Sequence, residues 1–476
     1  MKIERFLLIG TTFTLTLLGG CGIPDMTLKS ANTQLPEAYK AATPGENAAS
    51  TVKWRDFFHD GHLSKLIDTA IANNKEVNIL MQRISKAENE IQARHGAYLP
   101  FVRAGALAGG EKPGDYTFNG AVERALPLAG APFPHFVADY QFGLYSSWEI
   151  DIWRKLRNAT EVAVLDYMSS IEGRNFLISQ LVAEVARGYY ELITLDNQLE
   201  NIDQNIAIQQ NALDMIRKLQ FFARTDTLAV RRYEAEVAKN RSRRFEILQE
   251  QTVAENRLNY LLGRTPQHID RTSSNFLEID PPMVSTGVPS QLLQNRPDIK
   301  EAEFSLAAAQ LNIEVARAEF FPSFGIKAGV GYDAFAIKYL VNTPESLAAM
   351  VAGELVAPLV NKQAIIAGFK TANVQQVEAA YEYEKRIINA YTEVSNQIAN
   401  EANMRRSFEI KRTQVEALNK AIDVSIQLFK SARVEYLDVL TTQRDTLDAK
   451  REMIDTKQRQ LFAMIDLYKA LGGGWL

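Results

Sequence analysis

Residues 91–100 read IQARHGAYLP, and residues 313–322 read IEVARAEFFP. Pro100 and Pro322 lie 222 positions apart, and the same offset pairs Ala87 with Ala309, Val77 with Ile299 and Asn73 with Asn295. No gap is needed. Further on the halves pair again, with Leu262-Gly263 closing the first and Leu471-Gly472 closing the second, an offset of 209. Two repeats are too few for a solenoid, so the chain is read as one internally duplicated fold. Each half has the same order of parts: an amphipathic helix, a proline, a pair of strands and a long helical hairpin.

The helical parts are unusually long. Residues 154–262 contain no proline and only Gly173 and Gly188, and residues 359–471 contain no proline and only Gly368. In the first stretch Leu181, Val185, Leu192, Leu195, Leu199, Ile202, Ile206, Leu213 and Ile216 fall in steps of four and three once Gly188 and Gln209 fill the gaps. That is a heptad seam. A weaker one is expected in the second half at Val374, Val377, Tyr381, Ile388, Tyr391 and Ile398. A helix from Arg154 to a turn near Ala223 would run roughly 100 Å at about 1.5 Å per residue. Such a helix belongs to a coiled coil or to the wall of a tube.

Residues 140–152 alternate. Tyr140, Phe142, Leu144, Trp148 and Ile150 share one face, opposite Gln141, Gly143, Tyr145, Ser147, Glu149 and Asp151. Residues 323–332 repeat the pattern, and residues 101–110 and 347–355 supply poorer strands in matching places. Aromatics on the apolar face and small or polar residues opposite suit a lipid-facing barrel strand. Two strands per half make four per chain, whereas a barrel needs about eight or more to close. Open sheet edges cannot face lipid, so membrane strands here require several copies to share one barrel.

The N-terminus reads as a processing segment. Lys2 and Arg5 flank an apolar run from Phe6 to Leu18, followed by Gly19-Gly20-Cys21. This is signal-peptide length and short for a spanning helix. Residues 18–21, LGGC, resemble the lipobox of bacterial lipoproteins, which implies cleavage before Cys21 and its acylation. With 53 basic and 57 acidic residues, neither a nucleic-acid binder nor a strongly acidic surface is suggested. The single cysteine rules out an intrachain disulfide, and the five histidines have no metal-ligand spacing. No phosphate loop or nucleophile–base pair appears, so no catalytic residue, cofactor or metal site is assigned.

Trp54-Arg55-Asp56-Phe57-Phe58, residues 148–157 (WEIDIWRKLR), Arg296-Pro297-Asp298-Ile299 and the closing Ala470-Leu471-Gly472-Gly473-Gly474-Trp475 resemble, in this order, the outer-membrane efflux proteins of the TolC superfamily, NodT-type lipoprotein branch. The resemblance covers nearly everything from Trp54 onward. It implies a mostly α fold with a membrane β-barrel part: a homotrimer with a twelve-stranded barrel, an α-helical periplasmic tunnel and an equatorial belt. It also implies a periplasmic adaptor and an inner-membrane RND pump as partners, and drugs or other toxic small molecules as cargo.

The expected organisation is a signal peptide at 1–20, a lipidated N-terminal segment with belt and first helix at 21–98, and a strand pair at 99–153. A helical hairpin follows at 154–264, a linker and helix at 265–320, a second strand pair at 321–358 and the second hairpin at 359–476. By the same resemblance, Asp438 would ring a periplasmic aperture, with Arg444 pairing to a neighbouring helix. The hairpin tips, at Ala223, Arg224, Thr225 and Asp226 and at Ala432, Arg433 and Glu435, would meet the adaptor. Related turns often carry glycine where Ala223 and Ala432 stand. A protein-secretion duct is the nearest alternative within the family. A periplasmic coiled-coil adaptor lipoprotein is a weaker one, since it would need a single hairpin.

Overall fold

The strands of the two halves join in one sheet. In the computed structural model, β1 (Phe101–Glu111), β4 (Val137–Ile150), β5 (Ser323–Ala334) and β6 (Leu347–Val356) lie in the order β1-β4-β5-β6, each antiparallel to its neighbour. The structure describes residues 23–40, 52–128, 131–132, 134–222, 225–282, 284–360, 362–431 and 433–475. Between β1 and β4 stand α4 (Phe118–Ala125) and a two-residue hairpin, β2 (Pro127–Leu128) with β3 (Ala131–Pro132).

Ahead of the sheet come α1 (Trp54–Phe57), α2 (Gly61–Asn73) and α3 (Lys75–Tyr98). The first hairpin is α5 (Lys155–Phe221) and α6 (Thr227–Leu261). In the second half the counterparts are α7 (Leu292–Asn295), α8 (Pro297–Ala318) and the hairpin of α9 (Gln363–Lys430) and α10 (Tyr436–Ala470). Among the described residues no helix is long and apolar enough to cross a membrane.

The chain divides into two compact units. One holds Met1–Ser30, Ser85–Met168 and Phe304–Ala380, and with them the sheet. Beside the sheet, Ile313, Phe320, Phe369 and Ala372 form a small core against which Ile23 and Met26 pack. Lys29 follows them, its backbone N–H bonded to Gln376 Oε1 (3.2 Å) and its carbonyl accepting from Gln376 Nε2 (2.7 Å). The other unit holds Ala31–Ile84, Ser169–Glu303 and Tyr381–Leu476.

The first heptad seam is the core of its hairpin: Leu181, Val185, Leu192, Leu195, Ile202, Leu213 and Ile216 are buried, and Leu199 and Ile206 are half-buried. The second seam differs from the expectation. Of the expected residues Ile398 is buried and Val377 and Tyr391 are half-buried, but Val374, Tyr381 and Ile388 are 63%, 58% and 66% exposed, and the buried line runs through Phe369, Ala372, Gln376, Ala380, Tyr383, Ile387, Ala390 and Val394 to Ile398. The buried line interrupts its five larger apolar residues with Ala372, Ala380, Ala390 and Gln376, so a search for large apolar residues at heptad spacing selects the neighbouring stripe instead.

The duplication extends to individual atoms in the second unit. Gly263 and Gly472 each take a positive φ, of 67° and 97°. A Cβ on Gly263 would lie 2.3 Å from the Asn73 carbonyl oxygen, and one on Gly472 2.6 Å from that of Asn295. Only glycine tolerates both demands. One residue on, Asn74 Nδ2 donates to the Leu261 carbonyl (2.9 Å), and Arg296 Nη1 donates to the Ala470 carbonyl (2.8 Å). Donors and acceptors correspond under the offsets of 222 and 209. Each clasp ties the last turn of a hairpin to the end of the short helix that opened its repeat.

Candidate functional site

The sheet has two unlike faces. Register places Val102, Phe142, Leu144, Trp148, Ile326, Val330, Val351 and Leu355 on one of them, with Ala104 and Ala106 filling the β1 rows. Phe142 stacks on Tyr332 at 5.3 Å. The opposite face carries Arg103, Gln141, Tyr145, Glu149, Lys327, Asp333 and Glu354, together with Leu107 and Met350. Lys327 pairs with Glu354 at 2.8 Å. Tyr145 lies over two glycines, since a Cβ on Gly105 or Gly329 would come 3.4 or 3.2 Å from its ring. Gly143 and Gly331 approach more closely still, and a Cβ on Gly331 would stand 2.4 Å from the Phe142 carbonyl oxygen.

β4 ends at Ile150, two residues before the expected limit, because Asp151 leaves the ladder to cap the next helix. Its carboxylate accepts from the backbone N–H of Leu156 and Arg157, both at 3.0 Å, and from Arg157 Nε at 3.1 Å. These bonds satisfy N–H groups that every helix start leaves free. Arg154 takes a φ of 60° in the turn. Trp148 Nε1 donates to the Tyr98 carbonyl (3.0 Å) and Trp153 Nε1 to that of Pro322 (2.8 Å). The WEIDIWRKLR segment is therefore a junction that fixes where strand becomes helix.

At the far end of the hairpins, Leu213 and Ile216 of α5, Ala229, Val230, Tyr233 and Val237 of α6, and Leu440 of α10 share one core, with Phe429 and Tyr436 against it. The described tip residues Thr225, Asp226, Arg433 and Glu435 thus adjoin helices that share this core. Asp226 caps α6, its Oδ1 accepting from Ala229 N–H at 2.9 Å, and Thr225 precedes it, half-buried. Arg433 and Glu435 are exposed. Asp438 is exposed in the first turn of α10, and its Oδ2 accepts from Glu435 N–H at 3.1 Å. Its carboxylate has a helix-capping task alongside any other.

Arg444 is exposed beside a groove lined by Asn201, Ile202, Asn240 and Leu447. Among the described residues it has no salt bridge, and Asp438 has none either. Cys21, Ala223, Arg224 and Ala432 lie outside the described residues. Sequence reading missed Phe221 and Phe222, 85% and 68% exposed and in edge contact at 5.4 Å. Two adjacent aromatics ending a helix cannot both enter a heptad core, and that was their signal.

The second clasp is charged. Arg296 meets Asp298 through Nε and Nη2 at 2.9 and 2.8 Å and Glu393 through Nη1 at 2.9 Å. Lys469 also reaches Glu393, at 3.4 Å. Burial alone would lower the Arg296 guanidinium, but Asp298 and Glu393 more than reverse it and hold it above its ordinary value.

Comparison with known proteins fits this frame. The profile of the family described as outer membrane efflux protein matches residues 66–264 and 288–473, the two repeats. The chain is 24% identical over 467 residues to the probable outer membrane lipoprotein SilC of Salmonella typhimurium, covering 97% of this chain and 98% of that protein. It is 28% identical over 480 residues to the probable efflux pump outer membrane protein TtgC of Pseudomonas putida, covering 98% and 96%. Its fold matches the open state of the MtrE outer membrane channel of Neisseria gonorrhoeae with a TM-score of 0.83 at 22% identity, covering 95% and 99%. The chain belongs to the outer membrane efflux protein family.

Proposed function

We propose that three copies of this chain close one twelve-stranded barrel in the outer membrane and continue below it as a helical duct. Through that duct an RND pump, joined by a periplasmic adaptor, expels drugs or other toxic small molecules. The observation that carries the reading is the four-stranded sheet, with one apolar face and with β1 and β6 unpaired along their outer edges. Four strands cannot close a barrel, and open edges cannot face hydrocarbon. Joining β6 of one copy to β1 of the next satisfies both limits. The exposed stripe of Val374, Tyr381 and Ile388 supports lateral packing of copies along α9.

In this reading Cys21 carries the lipid anchor. The tips at Thr225, Asp226, Arg433 and Glu435, with their neighbours Ala223, Arg224 and Ala432, meet the adaptor. Asp438 from three copies rings the entrance, with Arg444 held by a neighbouring helix. Such a duct needs no chemistry of its own, since the pump supplies the energy. The efflux descriptions of the relatives favour this over protein secretion.

Export of an antibiotic and dye panel, measured with and without the gene in cells expressing an RND pump, tests the reading. Accumulation should rise on deletion, and unchanged accumulation across the panel refutes it. For the entrance, Asp438→Ala in planar bilayers should lower cation selectivity. Unaltered conductance and selectivity would remove Asp438 from that role.

A further inference from the structure

The duplication supplies an internal template. In the second repeat, Arg296 sits between Asp298 and Glu393, and Glu393 is shared with Lys469. Under the offsets of 222 and 209, the same places in the first repeat are held by Asn74, Glu76, Glu184 and Tyr260. Both acids persist, while both cations are replaced by neutral residues. These four residues line one groove of ≈430 Å³ in the first repeat.

Neither Glu76 nor Glu184 has a salt bridge among the described residues, and Tyr260 is 71% exposed. Two basic residues also line the groove, Lys75 and Arg264. Arg264 is engaged with Asn259 Oδ1 at 2.8 Å. We infer that this groove binds a guanidinium group, held between the Glu76 and Glu184 carboxylates and stacked on Tyr260.

The second repeat is the observation that names the ligand, because the acids at the corresponding positions, Asp298 and Glu393, there hold a guanidinium. Planar guanidinium suits two carboxylates and an aromatic face better than a compact ammonium does. The group can come from a small organic cation in solution or from an arginine of another copy of this chain. The inference does not depend on what the duct transports.

Arginine amide is a suitable probe, added to the full-length protein in mild detergent with thermal unfolding and native mass as readouts. If the ligand is a free cation, millimolar probe should raise the unfolding midpoint. Glu184→Gln should then weaken apparent affinity by roughly tenfold, as expected for losing one charged partner. Asn74→Arg should abolish the response by filling the groove with the chain's own guanidinium.

If another copy supplies the arginine, the probe should have no effect on the intact assembly, and Glu184→Gln should lower its native mass. Two results overturn the inference: an equal probe response in the wild-type and Asn74→Arg proteins, or no probe response together with an unchanged mass for Glu184→Gln. Glu184 is exposed, so its glutamine variant carries the test even if Asn74→Arg does not fold.

Discussion

The two repeats perform the same mechanical tasks with different chemistry. The first clasp is a neutral amide, and Asn74 uses its oxygen as well, accepting from the N–H groups of Glu76 (2.9 Å) and Val77 (3.1 Å) to start α3. The second is a buried guanidinium bound to two carboxylates. The seam of the first hairpin is leucine, valine and isoleucine, whereas the buried line of α9 interleaves alanine and Gln376 with larger apolar residues and leaves Val374, Tyr381 and Ile388 outside. Duplication preserved the backbone relations, glycine for glycine and carbonyl for carbonyl. It left each side chain free to answer to a different environment.

The largest test of that contrast lies in the clasps. Arg296→Met strands the buried Asp298 and leaves Glu393 with Lys469, and removing one member of a buried pair costs about 3–5 kcal/mol. Asn74→Ala removes a cap and one buried hydrogen bond, about 1–2 kcal/mol. Denaturant unfolding followed by circular dichroism should therefore rank Arg296→Met well below Asn74→Ala. Equal losses would mean that the charge of the second clasp adds nothing.

A second test separates the seams. Leu192 is fully buried in the first seam, and its replacement by alanine should cost about 2–5 kcal/mol. Ile388→Ala in the exposed stripe should change the stability of one copy by no more than about 0.5 kcal/mol. It should nevertheless weaken assembly, read as a lower native mass in detergent. If Ile388→Ala proves as costly as Leu192→Ala in dissociated protein, the stripe belongs to the core of its own chain.

The smallest effect concerns one proton. Lys457 is 3% exposed, with its ammonium 4.5 Å from the Phe408 ring and donating to Gln460 Oε1 at 3.2 Å. Its counterpart in the first repeat, by the offset of 209, is Leu248. Burial pulls the Lys457 ammonium down to about 8, with Asp280 and Glu409 opposing and Arg405 and Arg412 reinforcing. Between pH 8 and 10 the unfolded chain keeps this proton while the folded chain releases it. The unfolded state then binds more protons, so stability rises with pH across that window, by at most about 1.4 kcal/mol per pH unit. Below pH 8 both states are protonated and the contribution is flat. Lys457→Met should remove the slope, and a slope of equal size in that variant would assign it to other groups.

How much was legible follows from which residues speak for themselves. Proline and glycine gave the repeat and the helix limits, because few backbone settings accept them. Aromatic alternation gave β4 and β5, whereas β1, built from alanine and glycine, showed itself mainly by its place in the repeat. The second seam stayed concealed because alanine and Gln376 interrupt its larger apolar residues, so they form no unbroken heptad pattern. Asp438 stands in the first turn of α10, and its bond to Glu435 N–H depends on a local backbone turn that no periodicity reports. The charged clasp was equally hidden, because Arg296 finds Glu393 and Ala470 only across the folded unit.

The unpaired edges of β1 and β6 also set an order of events. One copy entering a bilayer alone would expose the outer edges of strands of 11 and 10 residues to hydrocarbon. Each unmade backbone bond there costs several kcal/mol. An inserted single copy is therefore not a resting point on the way to the finished duct. In the proposed trimer, entry into the membrane and recognition of sister chains are thus one coupled step, and whatever slows the second holds the protein in the periplasm.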